Sequence, residues 1–255
     1  MKKIITLFAL MLCLCATAQE VVDTMYIYRN DNVIERIPLS RIDSVVFVQP
    51  AAPDTPVTPP STSQYEAIDL GLPSGLKWAA HNVGANAPED YGGYYAWGET
   101  EEKENYSWST YKWYNGSYDT QTKYCTDSDY GTVDNKTVLD PEDDVAHVKW
   151  GGSWRMPTLA EQDELRNSCI WTWTTLNGVT GYRVTGPNGN SIFLPAAGYR
   201  DGTDVDNRGS NGIYCSSSLD GNYSSYAFHL YFYVGDYDWT SRNRYYGRSV
   251  RPVTE

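Results

Sequence analysis

Short runs of alternating apolar and polar residues recur along this chain, and turn residues separate them. Met25-Tyr26-Ile27-Tyr28 and Val33 to Ile37 flank the turn chemistry of residues 29–32, and Ser44 to Val48 is a third β-branched run. Together they predict a small N-terminal β unit over residues 19–49. Farther on, Trp171-Thr172-Trp173-Thr174, Gly181 to Val184, Ser191 to Leu194, Ala227 to Val234 and Ser249 to Val253 read as strands. One stretch follows a different rule. Thr158-Leu159-Ala160-Glu161 is a capping box, in which the Thr158 side chain takes a free helix amide and Glu161 reaches back. Good helix formers run on to Arg166, so a helix begins here, with Leu159, Leu165 and Cys169 on one side. Asp201 to Asn211 reads as loop throughout. The pattern predicts an α+β, loop-rich body with mostly antiparallel strands and about one good helix.

The pattern breaks in two places. Residues 50–60 hold five prolines in eleven positions, followed by Ser61-Thr62-Ser63. Proline lacks an amide proton and fixes φ, so residues 50–64 read as an extended linker, and residues 65–255 as one domain. At the start, Lys2 and Lys3 precede an apolar run from Ile4 to Cys15, and Ala16-Thr17-Ala18 completes the pattern of a signal peptide over residues 1–18. Twelve apolar residues are too few to span a bilayer. The expectation is an exported protein, secreted, cell-surface or facing the periplasm after cleavage near Ala18, with no membrane span.

Charge narrows the partners. The net charge is −12, and losing Lys2 and Lys3 takes it to −14. An acidic chain without a Lys/Arg cluster repels phosphate backbones, which argues against nucleic acid. Twenty-two Tyr and nine Trp against five Phe favour residues with an apolar face and a polar tip. They are dense near the C-terminus, where Tyr223, Tyr226, Tyr237, Trp239, Arg242, Tyr245 and Tyr246 lie among Ser, Asn, Asp and Gly. Tyrosines among small polar residues are the mixture that binding loops use. The competing reading is a strand surface packed on its neighbours, with Tyr231 and Tyr233 on one face.

Ordered motifs then carry a resemblance. They are Asp69 to Trp78, Tyr94-Tyr95-Ala96-Trp97-Gly98-Glu99, Trp150 to Thr158, Phe193 to Arg200 and Gly247 to Val253. This set resembles the Fibrobacter succinogenes major paralogous domain of exported Bacteroidetes-type proteins. More distantly it is similar to the C-type-lectin-like and formylglycine-generating (sulfatase-modifying) folds, through Arg155-Met156-Pro157-Thr158-Leu159-Ala160-Glu161. Gln162 stands where those proteins carry an aromatic residue. The resemblance implies a C-type-lectin-like domain whose first and last strands pair, joining Leu76–Trp78 to Ser249–Val253. It also implies a disulfide between Cys125 and Cys169, with Cys215 left over. Ile37 to Phe47 resembles a segment that follows the signal peptide in such proteins.

Catalytic chemistry finds little support. Formylglycine-type oxidation needs a paired cysteine late in the chain, and no cysteine follows Cys215. No G-x-S-x-G elbow accompanies His81, His147 or His229. Asp201, Asp204 and Asp206 offer hard oxygens for Ca²⁺, yet position twelve of an EF-hand frame from Asp204 is Cys215 rather than Glu. The sequence therefore predicts a non-catalytic extracellular binding or adhesion module without a cofactor, recognising a glycan or protein. The alternative is a structural component of a surface or fimbria-like assembly, self-associating through the N-terminal β unit. An enzyme related to sulfatase-modifying proteins ranks third.

Overall fold

The structure is a computed structural model and describes residues 24–29, 32–38, 65–117 and 119–255. The signal peptide, the third N-terminal run at 44–48 and the 50–64 linker lie outside the described residues. The chain divides into a unit ending at Pro60 and a unit from Ser61 to Glu255. In the first, β1 (Thr24–Arg29) and β2 (Asn32–Pro38) form an antiparallel hairpin with Met25 opposite Ile37. Two of the three anticipated strands are thus in place.

The second unit is α+β, built from small antiparallel sheets. Strands β3 (Ala67–Asp69) and β4 (Lys77–Ala79) open it, and β13 (Val253–Thr254) returns from the far end to pair with β4. Trp78 lies opposite Val253 and Lys77 opposite Thr254. The first and last strands therefore close on each other as expected. Of the anticipated 249–253 strand region only Val253 extends into that ladder, joined there by Thr254.

The rest of the terminal segment is shared out one hydrogen bond at a time. Arg248 and Tyr95 exchange backbone bonds, Ser249 accepts from Cys215, Val250 from Val83 and Pro252 from Ala79, and Val253 exchanges with Arg155. A residue pulled in a new direction at each step cannot extend a single sheet. This segment instead ties the parts of the domain together.

Between these ends come α1 (Val145–Trp150), α2 (Leu159–Ser168) and β5 (Ile170–Leu176) to β12 (Asp236–Asn243). In α2 both capping-box bonds are present, and Arg155 clamps Glu161 from outside with two bonds of 2.7 and 2.6 Å. Leu165 is buried, but its neighbour on the inward side is Gln162, whose amide donates to the carbonyls of Tyr214 and Cys215. That is a use for the polar residue in place of an aromatic. Leu159 and Cys169 are only half-buried.

Strands β5, β6 (Val179–Thr185) and β7 (Ser191–Pro195) form a meander. Asn177 and Gly178 turn the first hairpin, both at positive φ as a tight two-residue turn requires. The region expected to be loop holds a second hairpin, β8 (Tyr199–Asp201) with β9 (Asp204–Asp206), so that reading is corrected. Two extended strands were not anticipated: β10 (Asn211–Leu219), with buried serines at its centre, and the charged edge strand β12. Both pair with β11 (Tyr226–Tyr233).

Among the described residues three buried clusters fill the second unit. The first joins Trp78, Leu194, Tyr214, Leu230 and Phe232 across the sheets. The second centres on Trp97, Tyr124, Met156 and Val250, and the third on Tyr94, Tyr106 and Tyr111. Among the described residues no helix is long and apolar enough to cross a membrane.

Candidate functional site

Alternation along β10, β11 and β12 decides which side chains can meet. The register sets Ile213 opposite Tyr231 and Tyr231 opposite Asp238, and sets Cys215 opposite His229 and His229 opposite Thr240. One face of the sheet therefore carries Ile213, His229, Tyr231, Asp238, Thr240 and Arg242, while Tyr214, Leu230 and Phe232 enter the first core cluster from the other. A cleft of about 490 Å³ lies over the former face. The β8–β9 region closes it with Tyr199 and Asn207, and the terminal segment closes it with Tyr246 and Arg248.

The candidate C-terminal residues do not converge in one place. Arg242 and Tyr246 reach the first cleft. Trp239 borders it through its strand, but its ring packs edge-on against Phe228, 5.5 Å away on the opposite face. Tyr237, on that same opposite face, stacks on Trp171 at 4.7 Å and covers the first core cluster. Tyr245 lies against Trp108. Tyr223 and Tyr226 line a separate cleft of about 520 Å³ with Trp108, Tyr114 and Tyr130. Here Trp108 and Tyr114 stack at 5.6 Å, and Tyr223 stands 53% exposed at the mouth. Adjacent residues of β12 serve different clefts, Arg242 the first and Asn243 the second.

Sequence reasoning missed Tyr199, Asn207, Asn211, Tyr231, His229 and Arg248 as lining residues of the first cleft. In that cleft the Asn211 amide donates to the Tyr231 hydroxyl at 2.6 Å and fixes the ring. Tyr199 meets Tyr246 edge-on at 5.4 Å. Arg248 is buried and lies 5.3 Å from the centre of the Tyr246 ring. His229 is 2% exposed, and burial together with the nearby Arg248 and Arg242 cations holds its pKa well below 6.5.

A depressed histidine has a signed consequence. The unfolded chain takes up a proton near pH 6.5 and the folded one does not, so stability is full above 6.5 and falls as the pH drops below it. The expected slope is about 1.4 kcal/mol per pH unit. The carboxylates with lowered pKa (Asp134, Asp140, Asp143 and Glu161) act with the same sign, but only at the bottom of a window from pH 6.5 to 4.5, where Glu161's ordinary value lies. Asp144, raised by burial, acts with the opposite sign. Urea denaturation of the protein and of His229→Gln across this window removes that contribution by difference. Parallel curves would show that His229 is not held neutral.

The three aspartates weighed for Ca²⁺ do not form a cluster, and the disulfide expectation is corrected. Among the described residues the three carboxylates whose oxygens lie within 4.8 Å of one another are Asp140, Glu142 and Asp143, not Asp201, Asp204 and Asp206. Lys123 already contacts Asp140 at 2.6 Å and Asp143 at 2.7 Å, and Lys112 contacts Asp143, so ammonium groups occupy the position a cation would take. No bond joins Cys125 to Cys169; all three described thiols are free. Cys125 is buried with its Sγ against the Asp127 carbonyl, whereas Cys169 ends α2 on the rim of the first core cluster. Burial pushes the Cys215 thiol up and the Cys169 thiol up to about 11, which keeps both protonated and unreactive at neutral pH. No protein-family model, no curated protein and no solved structure matches this chain.

Proposed function

We propose that residues 65–255 form a non-catalytic binding module of an exported protein, a member of the Fibrobacter succinogenes major paralogous family, that holds an extracellular glycan or protein in the clefts described above. The observation that carries this reading is the make-up of the first cleft. Tyrosines from three separate segments (Tyr199, Tyr231 and Tyr246) line it together with the Asn207 and Asn211 amides and the Arg242 and Arg248 guanidinium groups, over a three-stranded sheet. Such a surface offers stacking area together with directional hydrogen bonds. Its histidine suits recognition better than proton transfer, since burial and the nearby Arg248 and Arg242 cations hold His229 neutral.

The test is a glycan array and a parallel protein-partner screen with the purified protein, with and without EDTA. Tyr231→Ala is expected to weaken a first-cleft ligand about tenfold, as loss of a stacking face and an anchored hydroxyl would. Tyr223→Ala separates a ligand of the second cleft. EDTA is expected to leave binding unchanged, because Asp201, Asp204 and Asp206 do not converge. A ligand indifferent to both substitutions would sink the reading.

A further inference from the structure

Three arginines near the C-terminus (Arg244, Arg248 and Arg251) are buried, and among the described residues none has a carboxylate within 4.0 Å. A guanidinium carries five N–H donors, so the question is where each donor goes. Arg244 bonds the Tyr111 hydroxyl and the carbonyls of Lys123, Tyr124 and Ser224, and lies 4.8 Å from the Trp97 ring centre. Arg251 bonds the Asn82 side chain and the carbonyls of Ala79, Ala80 and Phe193. Both are consumed in holding the fold.

Arg248 is different. Among the described residues its one oxygen acceptor is the Asn243 carbonyl at 3.1 Å, and beyond that it has the Cys215 thiol and the Tyr246 ring. It is also the one of the three that lines a cleft. Arg242 joins it there from β12, with one guanidinium nitrogen on the Ser241 carbonyl and the Thr240 hydroxyl. The lining includes a single carboxylate, Asp238, and Arg166 stands 3.2 Å from it. A chain of net charge −12 has therefore gathered two cations, one of them buried with donors to spare, around an opening. Leaving a buried charge unpaired is costly, and an incoming anion offsets that cost.

We propose that the first cleft binds an anionic saccharide, with a sugar carboxylate set against Arg248 and Arg242. This rests on the reading of the domain as a binding module and adds the class of its ligand. Planar guanidinium groups match a carboxylate in a way that a point charge does not. The walls select sugar over acidic peptide. Tyr199, Tyr231 and Tyr246 supply aromatic rings with hydroxyl tips, and Asn207 and Asn211 add amides, a set suited to the alternating C–H and O–H groups of a pyranose.

The experiment is calorimetric titration of the full chain at low ionic strength with trigalacturonate, its methyl ester, maltotriose and pentaglutamate. The acid is expected to bind at least about tenfold more tightly than the ester, since the ester lacks the charge that strengthens a hydrogen bond to arginine. Arg248→Met and Arg242→Gln should each bring the acid and ester to within about twofold to threefold of one another. Arg242 is exposed, so its variant carries the test if Arg248→Met does not fold. Equal binding of acid and ester overturns the anionic preference while the binding module stands. Tighter binding of pentaglutamate, or a preference untouched by either arginine substitution, also overturns it. Binding of no saccharide, charged or neutral, removes both the inference and the glycan form of the module.

Discussion

Arg251→Met is expected to destabilise the second unit by about 4 kcal/mol, because it leaves several buried oxygens without donors at once. The guanidinium sits at the junction of three parts of the fold. It donates to Asn82 Oδ1 at 2.8 Å, to the carbonyls of Ala79 and Ala80 at the end of β4, and to the Phe193 carbonyl in β7 at 2.7 Å. Burial lowers its pKa to about 10, which leaves it charged at neutral pH. Methionine fills much of the volume and removes an expensive buried charge, which offsets part of the loss. The acceptors remain, and each unsatisfied one costs about 1–3 kcal/mol. Arg251→Lys should fall between the two, since one ammonium cannot serve four acceptors spread over residues 79–82 and β7. All nine tryptophans lie between residues 78 and 239, so urea denaturation followed by tryptophan fluorescence reports this unit alone. A loss below about 1 kcal/mol for the methionine variant would mean that water reaches those carbonyls.

The terminal arginines also show where sequence reading ran out. Local signals were legible. The α2 capping box lies within four residues, and its two bonds formed as the spacing predicts. The alternation at Trp171–Thr174 and at Ala227–Val234 translated directly into β5 and β11. Closure of β4 on β13 came from the family resemblance and not from any local pattern. What the residues hid was non-local. In β10, Ser216 and Ser217 are buried because the Ser216 hydroxyl bonds the Phe228 carbonyl and the Ser217 amide bonds that of Pro157. A run of small polar residues gives no hint of such distant partners. Strand β12 was missed because an edge strand with Asp236, Asp238 and Arg242 lacks the apolar alternation of an inner one.

The same limit divided the candidate site. Aromatic enrichment near the C-terminus is plain in the sequence, but its direction depends on register. With Tyr231 opposite Asp238, alternation sends Arg242 to the cleft and Tyr237 to the core. The cleft's other wall comes from Tyr199 and Asn207, far earlier in the chain, and Arg248 resembles Arg244 and Arg251 until their acceptors are compared. Tyrosine density therefore identified the region, while the sheet register decided which of its members could meet a ligand.

Gly212→Ala is the second large effect expected, at about 3 kcal/mol, the upper part of what overpacking a core costs. Gly212 lies in β10 directly opposite Phe232 of β11, and the Phe232 ring folds across the space where a side chain would be. A Cβ there would come closer than 3.0 Å to three ring carbons. The ring has nowhere to retreat. It is fully buried, stacks on Tyr214 at 5.7 Å, and takes the edge of Tyr182 at 5.3 Å with Trp171 and Trp173 beyond. The strain also reaches the first cleft, because Asn211 and Ile213, on either side of this glycine, are part of its lining. Removing the ring should relieve the clash. In a Phe232→Leu background the same Gly212→Ala change is expected to cost about 1 kcal/mol or less, a coupling of about 2 kcal/mol between two residues in contact. Additive losses across the four proteins of that cycle, by urea denaturation, would show that the glycine is required for a reason other than room for the Phe232 ring.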